Sequence, residues 1–123
     1  MKPLSVVVYQ CNHQSAESLA QSLYNHFRLV NVACDLAELR RAIPRHSADV
    51  AIVDLEQTQL EDIRQLREDF AATSIVCTHR LADERMWAQA LAAGAVDCCA
   101  GSDVRAIVLA ASHTPVVSHA HAA

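Results

Sequence analysis

The stretch ADVAIVDLE, residues 48–56, decides the fold. Val50-Ala51-Ile52-Val53 is apolar at every position and stops at Asp54. A strand with one wet face would alternate apolar and polar residues. A continuous run instead predicts a strand buried on both faces, the signature of a parallel sheet covered by helices. Asp54 then stands where the strand leaves the core.

Working outward, the same run recurs. Val6-Val7-Val8, Leu29 to Cys34, Ser74 to Cys77 ending at Thr78, and Val96 to Ala100 predict four more strands. Between them the apolar spacing changes to three and four. Ala16, Leu19, Ala20, Leu23 and Phe27 share one helical face. Leu36, Leu39 and Ile43 form the next stripe, opened by a capping-box pair, Asp35 with Glu38, and ended or distorted by Pro44. Thr58 with Glu61 has the same capping signature before Leu60, Ile63, Leu66 and Phe70. Asp83 to Ala93 is the fourth helix, with Gly94 placed to cap its end. Ser102 or Asp103 opens the fifth, whose inner face is Val104, Ile107, Val108 and Ala111.

Five apolar strands alternating with five amphipathic helices predict an α/β fold. The expected architecture is a flavodoxin-like three-layer sandwich, a five-stranded parallel sheet of order 2-1-3-4-5 with five helices. In such sheets binding chemistry gathers at the carboxyl ends of the strands, here Tyr9-Gln10, Asp54, Thr78 and Cys99 to Gly101. One domain is expected over residues 1–112, with 113–123 a flexible tail or truncated linker.

Composition narrows the function. Hydrophobic residues at 52% and charged residues at 20% exclude a disordered chain. A net charge of −4 gives no basic footprint for nucleic acid or an anionic membrane surface. No run reaches the length of a membrane span, and the polar residues from Gln10 onward end the first apolar run too early for a signal peptide. A cytoplasmic protein is therefore expected. Cys11, Cys34, Cys77, Cys98 and Cys99 have no zinc-ribbon spacing. Cys98 and Cys99 are adjacent, point to opposite faces of a strand, and are expected to pack as small hydrophobes. His119 and His121 in the tail lack a nearby carboxylate or thiol to complete a metal site. With only two glycines, at 94 and 101, no glycine-rich loop follows the first strand. A phosphate-cradling enzyme or small-ligand binder is disfavoured on that ground.

Over residues 4–112 the chain resembles the receiver domain of bacterial two-component response regulators. ADVAIVDLE resembles the family's third strand, which implies Asp54 as the phosphoacceptor position. SIVCTHR (74–80) resembles the fourth strand, with Thr78 at the hydroxyl switch position. ALAAGAVDCCA (90–100) resembles the turn and fifth strand, with Cys98 at the aromatic switch position. The stretch 83–97 is similar to receivers fused to LuxR-type DNA-binding domains. Three departures accompany these matches. Tyr9 and Gln10 occupy the positions of the family's metal-holding acidic pair. Gly101 occupies the lysine position. The loop after Asp54, LEQTQLED, is short and lacks the family's Met-Pro and Asp-Gly turn.

Phosphoryl transfer to a carboxylate needs a divalent cation to neutralise the donor's oxygens. Asp54 supplies one carboxylate and Gln10 a neutral amide, and Glu56, though nearby in sequence, is not expected to serve as a replacement ligand. The expected protein is an atypical, or pseudo-, receiver that signals by protein contact or dimerisation. It is not expected to be an enzyme, and no metal or other cofactor is expected. The alternative is a phosphorylatable receiver with Asp54 as phosphoacceptor, controlling an output such as a DNA-binding domain. Asp54 and Thr78 are otherwise expected to bond nearby backbone. Met86, Trp87 and Ala90, beside the uncharged Ala88, Ala92 and Ala93, are the expected partner or homodimer surface.

Overall fold

The computed structural model describes residues 4–10, 13–56, 58–81 and 83–112. Cys11, His119, His121 and the expected tail at 113–123 lie outside them. The strands are β1 (Ser5–Tyr9), β2 (Leu29–Val32), β3 (Val50–Asp54), β4 (Ser74–His79) and β5 (Asp97–Ala100). The helices are α1 (His13–Leu23), α2 (Leu36–Arg45), α3 (Leu60–Asp69), α4 (Glu84–Ala93) and α5 (Val104–Ser112). All strand pairs are parallel and their order is β2-β1-β3-β4-β5. The expected flavodoxin-like sandwich is the fold observed.

The sheet has two dry faces because its strands are apolar on both sides. Val6, Val8, Val50, Ile52 and Val76 pack under α1 and α5. Val7, Ala51, Val53, Ile75 and Cys77 pack under α2, α3 and α4. Ile52 is wholly buried at the centre, where truncation to alanine costs about 2–5 kcal/mol.

Helix boundaries follow local chemistry. Asp35 caps α2 by accepting from Glu38 N at 2.7 Å, while Glu38 reaches past the cap residue to accept from Cys34 N at 2.8 Å, so the expected capping box is met in its first half only. Pro44 lies in the last turn of α2, which ends one residue later. Gly94 takes φ 116° at the end of α4, the left-handed conformation that a glycine adopts without strain. Asp103, rather than Ser102, caps α5 by accepting from Ala106 N at 3.1 Å.

Four sequence expectations are corrected. Helix α1 stops at Leu23, and Phe27 is buried from the following turn. β2 ends at Val32, before Ala33 and Cys34. β5 begins at Asp97, leaving Val96 outside it. α3 opens at Gln59, whose N–H donates to Asp62 at 2.9 Å, not at Thr58 with Glu61. The Thr58 hydroxyl is spent instead on the Asp54 carbonyl, at 2.9 Å.

Candidate functional site

Side chains alternate along a strand. Gln10, Asp54 and Thr78 therefore follow Val8, Ile52 and Val76 onto the α1/α5 face, at the carboxyl ends of β1, β3 and β4. Asp54 is the register partner of Thr78, and Thr78 of Cys99. A cavity of about 520 Å³ opens here, lined by Gln10, Ser15, Ser18, Asp54, Thr78 and Gly101 among others. Asp54 and Thr78 form its floor, 2% and 1% exposed.

The Asp54 carboxylate accepts from Glu56 N at 3.0 Å, the expected bond to its own loop. Thr78 differs from expectation. Its hydroxyl accepts from Gln10 Nε2 at 3.0 Å, while its carbonyl accepts from Leu55 N at 2.8 Å. The departure positions separate: Gln10 lines the cavity, whereas Tyr9 is buried on the opposite face among α2, α3 and α4. At Gly101 a Cβ would meet only Gln10 Oε1, at 3.8 Å. Glu56 turns to Arg80, accepting from its backbone N at 2.9 Å and lying 3.6 Å from its guanidinium. That pair is largely exposed on the arginine side and contributes little to stability.

Magnesium takes near-octahedral oxygen ligands. Here Asp54 is the floor carboxylate, Glu56 is engaged with Arg80, and Gln10 directs its amide nitrogen to Thr78. Among the described residues no three His, Cys, Asp or Glu side chains gather to hold a metal ion. This donor set does not fit a divalent cation.

Cys98 and Cys99 point into opposite layers and are free thiols, as are Cys34 and Cys77. Burial pushes Cys98 up to about 11 and Cys99 up to about 12, with Asp97 adding to both. Burial, then the neighbouring Cys98 and Cys99, raises Cys77 further. Cys34 is exposed, and its thiol is raised first by a hydrogen bond to Glu38.

On α4, Trp87 is 44% exposed and donates its indole N–H to Asp97 at 3.0 Å. Met86 packs partly into the core. Ala90 is wholly buried against the sheet and Ala93 nearly so, which corrects their place on an exposed alanine surface. The 3.6-residue period turns them inward while Ala88 and Ala92 stay outside. The Glu56–Arg80 clasp and the Ser15 and Ser18 lining were not visible in the sequence. Serines three apart on one helix face are the only local signal of that lining.

The chain is similar to solved response-regulator structures. One from Thermotoga maritima has a TM-score of 0.78 at 20% identity, covering 90% of this chain and 99% of that one. A LuxR-family two-component response regulator from Aurantimonas has a TM-score of 0.76 at 17% identity, covering 96% and 94%. NtrX from Brucella abortus has a TM-score of 0.82 at 13% identity; 98% of this chain aligns, but only 29% of that chain. At such identities the likeness establishes the fold. No family model and no curated protein matches the sequence.

Proposed function

We propose that this chain, which has the receiver fold, is an atypical response-regulator receiver that signals through protein contacts rather than through Mg²⁺-dependent phosphoryl transfer. The observation that carries the reading is the floor of the cavity. One buried carboxylate, Asp54, stands there among an amide, a hydroxyl and a glycine. Among the described residues no lysine and no group of three carboxylates meets the phosphoacceptor position, and the cavity's Glu56 and Arg80 are paired with each other. Transfer to Asp54 would lack the charge neutralisation on which that chemistry depends. The module is then not an enzyme and uses no cofactor.

Incubation with acetyl phosphate and Mg²⁺, followed by intact mass measurement, tests this. The expected outcome is an unchanged mass. The second reading, phosphorylation at Asp54, draws on the register pairing of Asp54 with Thr78 on the cavity floor. It requires a phosphate's added mass that is lost in Asp54→Asn.

The contact surface proposed is α4, β5 and α5. Trp87, Leu109 and, just before β5, Val96 are large exposed apolar residues there, and Met86 packs partly into the core. A homodimer or an output domain is the partner class that fits an apolar face of this kind. Sedimentation should show self-association at or below about 100 μM, an affinity near −5.5 kcal/mol. Trp87→Arg should return the protein to monomer. Direct nucleic-acid contact by this domain is not part of the reading, since the net charge is −4. Among the described residues no helix is long and apolar enough to cross a membrane, and a cytoplasmic setting belongs to the same proposal.

A further inference from the structure

We propose that Gln10 is a built-in latch: its side-chain amide holds Thr78 and thereby restrains the segment from Thr78 to Leu81, where the chain leaves β4, without any bound group. The proposal deepens the atypical-receiver reading, on which it rests, by naming what governs that same site. The bond joins residues 68 positions apart and crosses β3, because β1 and β4 are not neighbours in the sheet. Thr78 is 1% exposed, so little of its surface is open to water that could replace the amide.

Thr78 is the next-to-last residue of β4, at the point where the chain leaves the sheet for α4. Two more ties act on the same turn. Leu55 N binds the Thr78 carbonyl, and the Glu56 carboxylate binds Arg80 N at 2.9 Å. Leu81 N is in turn held by His79 Nδ1 at 2.9 Å. Residues just past the ends of β1 and β3 thus grip the segment from Thr78 to Leu81. A neutral amide needs no cation beside Asp54 to make its part of this grip. Leu81, 68% exposed, is therefore presented from a restrained loop.

Amide hydrogen exchange at Arg80 and Leu81 tests the latch, with the amides of α2 as internal reference. Gln10→Leu removes the donor, and Thr78→Val removes the hydroxyl. Each should speed exchange at Arg80 and Leu81 by about tenfold, the factor expected from losing one hydrogen bond of ordinary net strength. The double variant should go no faster than either single one, because both remove the same bond. Exchange within twofold of wild type in either single variant, or additive effects, would overturn the proposal. Should Gln10→Leu fail to melt cooperatively, Gln10→Asn takes its place, polar but one methylene too short to span to Thr78; the same thresholds apply. The acetyl phosphate measurement on wild type separates the two readings. Phosphorylation with a tenfold effect ends the metal-free function and keeps the Gln10–Thr78 grip. No phosphorylation with no exchange effect ends the latch alone.

Discussion

The two ends of the sheet are built differently. At the amino ends, polar groups are stitched shut. Ser5 N donates to the Asp49 carboxylate at 2.9 Å, Asp49 N to Ser5 O at 2.8 Å, and Ser74 N to Asp49 O at 2.9 Å. Thr73 Oγ1 donates to Ala48 O at 2.9 Å. Gly94, in the turn entering β5, has φ 116°, and a Cβ there would come within 2.8 Å of the Arg67 side chain. At the carboxyl ends, Gln10, Asp54, Thr78 and Gly101 face an open cavity, and a Cβ on Gly101 meets nothing closer than 3.8 Å. One end spends its polar groups on holding strands in register. The other spends Gln10, Thr78 and Glu56 on tying down its loops, yet keeps room at a surface where something can be recognised.

The difference can be tested by how much each end resists change. The largest effect is expected from alkali, which probes how tightly both faces of β5 are closed beside the open end. A thiol whose folded pKa is raised above the ordinary 9.0 keeps its proton where the unfolded thiol has lost it. Stability should be full below pH 9 and fall as pH rises through about 11 for Cys98 and about 12 for Cys99. Urea midpoints at pH 8 and pH 10.5 measure this. Equal midpoints would mean that solvent reaches the thiols and that β5 is closed less tightly by the helices on its two faces than its burial indicates.

Asp49→Ala at the closed end should cost about 2 kcal/mol, because it strips a charged acceptor from the Ser5 amide. Gly94→Ala should cost about 1–2 kcal/mol through its left-handed backbone, and both are read from urea denaturation. At the open end, Asp54→Asn should cost less than Gly94→Ala, since the amide oxygen still accepts from Glu56 N. Gly101→Ala should lie within about 0.5 kcal/mol of wild type. If Gly101→Ala proved costlier than Gly94→Ala, the contrast between the ends would be lost.

The sequence by itself determined the element order, the two-faced sheet, and the placing of Asp54 and Thr78 at strand ends. These are read from neighbours along the chain: a period of two or a continuous apolar run for strands, a period near 3.6 for helices, and caps such as Asp35 with Glu38. Such signals extend over a few residues, so they survive without knowledge of what packs opposite. Their errors were also local. Thr58 with Glu61 read as the start of α3, yet α3 opens at Gln59 because the Thr58 hydroxyl is bonded to Asp54 O. Ala90 and Ala92 read alike as small residues, yet only the packed sheet buries the first. The contacts that define the site were decided by tertiary structure alone. Gln10 meets Thr78 across 68 positions and Glu56 meets Arg80 across 24. Both depend on strand order, register and side-chain reach, and no periodicity along the chain records where two such distant side chains end.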